Sequence, residues 1–442
     1  MGDTSKGDEL NNIKIDNFFE LLRTIIYSIV GIIIFFIPIT IENQTKTVLY
    51  HMSYKLQVNY RWFLQILIVI YIIISIIKSV LSNHKSNLNK IYSYLKVFSI
   101  FIVVSIFYNK YSILYLDDNI SLIIEETILN LITILPLSAI FITFILDYGL
   151  LDIIEAYCHK LMKKLFNLSG KSILNIMIYI FNDCFCGYFM TDLLYNKGKI
   201  RQNEACTILL NFSIASISFS NYISEELNIN KVSFFILSMF ILTSSNVILS
   251  RIYPINKKKK SYYIKTNYKE SYIKSNKLSN AIKKHIKNRE DINLFKSIAI
   301  NLERSIDITV KLIPNIVLII YLGNIIINNI DIVYNIKTIF YHILELFRFN
   351  DTDQISAFLV NVFFNDIIAI ELLNKNIDYT SKLLIGIISI LKCTSLTTNI
   401  IYLEITDIPI NKFDFLVSYI LRIVAIIFIS YMIFYLYDIY TI

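Results

Sequence analysis

The sequence predicts an all-α polytopic membrane protein, with about nine transmembrane helices plus two re-entrant hairpins in an inverted repeat. Three observations lead there: an apolar composition, charge-free runs of bilayer length, and a five-part order of segments that occurs twice. Of 442 residues, 55% are hydrophobic and 17% charged, with a mean hydropathy of +0.57. A soluble domain averages about 45–50% apolar and about 25% charged residues. The balance excludes a soluble enzyme, a disordered chain and a fibrous protein.

The net charge of +8 is local. Residues 251–300 hold 14 Lys/Arg against 3 Asp/Glu, so one connection carries the whole excess. Lys and Arg accumulate in the cytoplasmic loops of membrane proteins, and this reading leaves no role for nucleic acid. The five Cys (158, 184, 186, 206 and 393) form no CxxC pair, and the five His show no metal spacing. The polar start, residues 1–20, lacks the basic flank of a secretory signal, so the first apolar segment is expected to remain as a membrane helix.

A helix needs about 20 apolar residues to cross the hydrocarbon core. Runs at 24–41, 127–146, 205–224, 232–250 and 312–330 meet this, and 62–77 and 97–109 are extended by snorkelling Lys78 and Lys96. Runs 383–403 and 415–437 each contain one cation, Lys392 and Arg422. Two further stretches are interrupted: residues 172–194 by Asn182-Asp183, and 355–373 by Asn365-Asp366. Half-length helices around a polar tip read as re-entrant hairpins, because non-helical backbone at membrane depth needs protein or a water-filled cavity to satisfy it. Loop charges then place the N-terminus in the cytoplasm and the protein in the cell membrane as a multi-pass chain.

The order is a Pro-containing span, an amphipathic stretch, a broken segment, a hydroxyl-rich span and a last span. It runs through 127–250 and again through 312–437. Each unit has three crossings, so a basic cytoplasmic loop, 251–311, must join units of opposite orientation. Residues 1–20 form a polar cytoplasmic tail and 21–126 scaffold helices. Inverted repeats with discontinuous helices are a transporter architecture with a midplane site.

Asp183 and Asp366 stand at the two tips, where a carboxylate at mid-bilayer is a candidate site residue by default. They would serve a cation or a proton, Na⁺ or H⁺ as coupling ion; a tip that reaches the interface is the alternative. Asn182 and Asn365 precede them. In the hydroxyl-rich spans, Asn211, Ser213 and Ser216 are matched by Thr394, Ser395 and Thr398. Ser213 is three residues before Ser216 and Ser220 four after it, which places them along one helix face, suited to a polar ligand or to a close helix–helix seam. Arg422 and Glu404 are expected to pair across neighbouring helices. Gly170-Lys171-Ser172 lacks the earlier Gly of a phosphate loop, and no GxSxG occurs, so no enzyme chemistry and no bound cofactor are expected.

Several strings carry a family resemblance: Leu146-Asp147-Tyr148-Gly149-Leu150, Leu165-Phe166-Asn167-Leu168-Ser169-Gly170-Lys171-Ser172, Arg201-Gln202-Asn203-Glu204-Ala205, the span from Asn211 to Phe219, and Arg251-Ile252-Tyr253-Pro254. With Asp414-Phe415 and Leu421-Arg422, they resemble the YjiH-like nucleoside-recognition (Gate) domain membrane proteins, distantly similar to concentrative nucleoside transporters. The resemblance implies a transporter or permease for a small polar solute, nucleoside-like in kind, with the lipid bilayer as partner and room for a homo-oligomer. The second tip departs from the family's small-residue turn, with Phe363 and Phe364 beside Asn365-Asp366. That departure favours the alternative, a non-transporting membrane protein with a structural or signalling role in the cell envelope.

Overall fold

The computed structural model describes residues 22–41, 44–81, 87–109, 114, 116, 118–264, 293–327, 330–362, 369–370, 373, 376–391, 402–403 and 405–441. These residues are almost entirely helical, with one two-stranded hairpin. Five helices are long and apolar enough to cross a bilayer: α3 (Arg61–Leu81), α5 (Asp118–Leu146), α11 (Lys231–Leu249), α12 (Leu294–Ile327) and α16 (Lys412–Thr441). Their outward faces are apolar, as on α3, where Ile66, Ile70, Ile73 and Ile77 are exposed while Tyr71 and Ser75 are buried. A face inverted in this way suits lipid and marks a membrane protein.

At the centre, α5 and α12 pack on each other along much of their length, with Pro136 inside one and Pro314 inside the other. Asn301, early in α12, donates to Thr143 Oγ1, late in α5, at 2.9 Å, so the two helices run antiparallel. Each is followed by an amphipathic helix, α6 (Leu150–Phe166) after α5 and α13 (Ile330–Leu346) after α12. Gly149 makes the turn into α6 at φ 90°, a left-handed conformation that glycine adopts without a Cβ clash. The first interrupted segment is a helical hairpin, α7 (Ser172–Phe181) and α8 (Cys184–Asn196). Of the second, α14 (Thr352–Asn361) forms the first arm, while Asn365 and Asp366 lie outside the described residues.

The structure corrects three expectations. Residues 24–41 are not one continuous span: α1 (Leu22–Phe36) stops before Ile37, and β1 (Pro38–Ile41) pairs antiparallel with β2 (Gln44–Thr47) before α2 (Val48–Asn59) resumes. The Pro38 ring leaves β1 without one backbone donor, and β-branched Ile39, Thr40 and Ile41 favour a strand once the helix has ended. Residues 205–224 divide into α9 (Gln202–Asn211) and α10 (Ile217–Glu226), with extended backbone between. Ser213 and Ser216 therefore do not share a helix face.

The third correction concerns the basic connection, whose first part folds on the core. Gln202 and Asn203 donate backbone hydrogen bonds to Ser261 and Lys259, and Lys258 pairs with Asp414 at 2.6 Å. Lys258 is thus a structural residue in a connection whose charge alone suggests a solvated loop. The last residues of the same stretch, from Leu294, already belong to α12.

Candidate functional site

The α7–α8 turn positions the first carboxylate. Asp183 caps α8, its Oδ1 accepting from the Phe185 backbone N–H at 2.9 Å and from the Cys184 thiol at 3.3 Å. Its Oδ2 accepts from Asn130 of α5 at 3.1 Å. All three donors are neutral. An N-cap carboxylate satisfies an otherwise orphaned helix donor and faces the positive end of the helix dipole.

Asn182 ties the same turn to the N-terminal region. Its Nδ2 donates to the Phe35 carbonyl at 2.7 Å, and its Oδ1 accepts from Thr47 Oγ1 at 2.9 Å. The strand pair therefore seats against the tip, with one contact to the last turn of α1 and another to the end of β2. Lys46 of β2 brings a cation toward Asp183 and Glu126, its Nζ 3.6 Å from the centre of the Tyr50 ring. Burial lowers the Lys46 pKa, and the two carboxylates oppose that shift.

The two arms meet closely. A Cβ at Gly187 would lie 2.5 Å from the Tyr179 ring, so only glycine lets α8 approach α7 at this level. Asn175 of α7 donates to Thr191 Oγ1 of α8 at 2.7 Å. The hairpin packs against both arms of the divided α9–α10 helix, α8 against α9 and α7 against both.

Several main-chain groups of the segment between α9 and α10 are paired with other helices. Arg422 of α16, fully buried, donates to Leu210 O and Ser213 O, each at 3.0 Å. Asn246 of α11 donates to the Asn211 carbonyl at 2.9 Å. Ala215 N–H donates to Ile390 O at 3.0 Å, in the last turn of α15 (Tyr379–Leu391). Ser216 caps α10 through Phe219 N–H at 3.4 Å. Helix ends leave carbonyl groups unpaired; here the Arg422 guanidinium takes those of Leu210 and Ser213 and the Asn246 amide takes that of Asn211, while the break's own Ala215 N–H serves a carbonyl at the end of α15. Arg422 therefore serves the break; its expected partner Glu404 lies outside the described residues.

Of the sequence-predicted site residues, Asn182 and Asp183 sit together at the tip, and Asn211, Ser213 and Ser216 line the break. Thr394, Ser395 and Thr398, with Asn365 and Asp366, lie outside the described residues. Sequence reasoning missed a second carboxylate on α8. Asp192, with no exposed surface, takes a bidentate grip from Arg304 of α12, Nε to Oδ2 at 2.9 Å and Nη2 to Oδ1 at 3.0 Å. Arg304 also reaches Asp407 at 2.9 Å. The available signal was one Asp within the apolar run 188–194. Among the described residues no cluster of His, Cys, Asp and Glu could hold a metal ion.

No family model matches the chain, and no solved structure matches it. A curated relative from Alkalihalophilus pseudofirmus, described as an uncharacterized protein, is 29% identical over 121 residues, covering 27% of this chain. The chain spans about a quarter of that relative's length, 26%.

Proposed function

We propose that the chain is a membrane permease of the Gate-domain kind for a small polar solute, nucleoside-like in class, coupled to Na⁺ or H⁺. In this reading it crosses the bilayer nine times, as two units of opposite orientation, with its N-terminus in the cytoplasm. The single observation that carries the reading is the hydrogen bond from Ala215 to Ile390. It joins the broken helix of the first unit to the end of α15 in the second, beside a hairpin with a carboxylate at its turn. Irregular backbone is kept at membrane depth where it lines a binding site, and half-helix ends supply the oriented N–H and C=O groups that hold a polar solute and a cation. Asp183 would hold the cation or proton, and the Asn211–Ser216 backbone with its hydroxyls would hold the solute. Alternating access would come from movement of the hairpin-bearing core against α3, α4 (Asn87–Phe107) and the Pro-containing α5 and α12.

The test is a thermal-shift screen of the purified protein against nucleosides, nucleobases, amino acids and dipeptides, with and without Na⁺. Uptake of each hit by proteoliposomes follows. A Na⁺- or pH-dependent stabilisation by one class, with uptake of the same class, is the expected result; its absence across all classes defeats the reading. One observation favours the second reading, a non-transporting envelope protein. Asn182 and Asp183 are fully engaged by α1, β2, α5 and their own turn, and the space beside Tyr188, Leu209 and Tyr402 is too small for a water molecule.

A further inference from the structure

We propose that the cleft where the basic connection folds back onto α9 is a binding site for a phosphate group. A cavity of about 230 Å³ opens there, between the end of α6, the face of α9 and residues 250–260. At about 30 Å³ per water, it holds a phosphate with several waters or a short phosphorylated headgroup, and is too small for a drug-sized ligand. None of the described residues lining it is acidic.

Asn167, Asn203, Asn256, Lys258 and Lys260 all line this space. Asn203 is the telling member. Its side chain is 8% exposed, and its Oδ1 is buried without a hydrogen-bond partner. With Thr207 one turn further along α9, Asn203 makes the buried wall of the cavity polar.

Charge agrees with geometry. The Arg251 guanidinium is held by the Lys164, Leu165 and Val247 carbonyls, so it supplies field more than contact. Lys258 is paired with Asp414, while Lys260 is exposed and makes no ion pair among the described residues. Among the described residues the lining carries three cations, one of them paired with Asp414, and no carboxylate, and a phosphate monoester, at about −1.5 to −2 charge with three strong acceptor oxygens, fits the surplus. The phosphate can come from a soluble ester or from an anionic lipid headgroup at the face that bears the basic connection.

The experiment uses the full chain in phosphatidylcholine nanodiscs. Inorganic phosphate and glycerol 3-phosphate are titrated against chloride at matched ionic strength, with the unfolding midpoint as readout. A parallel arm replaces part of the lipid with phosphatidylglycerol and adds no soluble phosphate. The expected result is saturable stabilisation in at least one arm, weakened tenfold or more in Lys260→Glu and in Asn203→Leu. A response in the soluble arm assigns a phosphate ester, and a response in the lipid arm alone assigns a headgroup. If Asn203→Leu fails to fold, Lys260→Glu, at an exposed position, carries the test. Absence of stabilisation in both arms, or an equal response in wild type and Lys260→Glu, overturns the proposal.

Discussion

Asp183 and Asp192 belong to the same hairpin arm and are held by opposite means. Asp183 accepts from a backbone N–H, a thiol and an amide, all neutral, with Lys46 approaching from the strand pair. Asp192, without exposed surface, is clamped by the forked guanidinium of Arg304. A bidentate ion pair fixes both geometry and charge; a carboxylate held by dipoles can gain or lose a proton or a cation without leaving a buried counter-charge behind. One arm thus carries a carboxylate fixed by an ion pair where it meets α12 and another held by neutral donors at its turn.

The largest expected effect breaks the structural half of this comparison. Arg304→Met leaves Asp192 buried and unpaired, which destabilises by about 3–5 kcal/mol. Thermal unfolding of the purified protein should show a large fall in midpoint, and Asp192→Asn combined with Arg304→Met should recover most of it. A single mutant as stable as wild type would show that the pair does not hold the hairpin to α12.

The next effect tests the hairpin itself. Gly187→Ala places a Cβ 2.5 Å from the Tyr179 ring, so α7 and α8 must separate or the ring must move. Overpacking of this kind costs about 1–3 kcal/mol. Because Gly187 lies between the two carboxylates, both should be disturbed, and any solute binding should weaken along with the unfolding midpoint.

Lys258 and Asp414 form an intermediate case, an ion pair with side chains 10% and 13% exposed. Lys258→Met should cost about 1–2 kcal/mol, between exposed and buried pairs. Neighbouring Lys257, which is exposed, should change nothing on substitution. Equal midpoints for the two variants would return the whole connection to the solvated state that its charge alone suggests.

These residues also show what hydropathy reads and what it omits. The long helices α3, α5, α11, α12 and α16 were legible because bilayer length and lack of charge suffice to define them. The α7–α8 turn was legible from Asn182-Asp183 inside an apolar run. The strand pair after α1 was hidden, since Ile39, Thr40 and Ile41 are as apolar in a strand as in a helix. The break at 212–216 was hidden because no Gly or Pro marks it; what permits it is Arg422, 206 positions beyond Ser216 in the chain. The carbonyls that Arg422 serves were hidden too, because a sequence shows charges and does not show unpaired carbonyls. Asp192 needed Arg304, a residue outside the apolar core of its own span.

The smallest expected change in stability carries the sharpest test of the comparison. Asp183→Asn keeps one side-chain oxygen to cap α8, and its NH₂ takes the place of Oδ2, where Asn130, whose Oδ1 has no hydrogen-bond partner, can turn its amide to accept; the charge is removed. A good cap exchanged for another should alter stability by no more than about 1 kcal/mol. If Asp183 is the exchangeable carboxylate, the variant should fold with a near-normal midpoint yet bind any identified solute or coupling ion about tenfold more weakly or worse, because a charge-assisted contact is worth roughly 1.5–3 kcal/mol. Na⁺-dependent stabilisation, where the wild type shows it, should disappear in the same protein. Asp192→Asn should show the reverse pattern, a lowered midpoint from loss of the Arg304 clamp, which leaves Arg304 only Asp407 among the described residues, with affinity retained in the folded fraction. Unchanged affinity and ion response in well-folded Asp183→Asn would leave the hairpin turn a structural cap, and the envelope-protein reading would then stand ahead of transport.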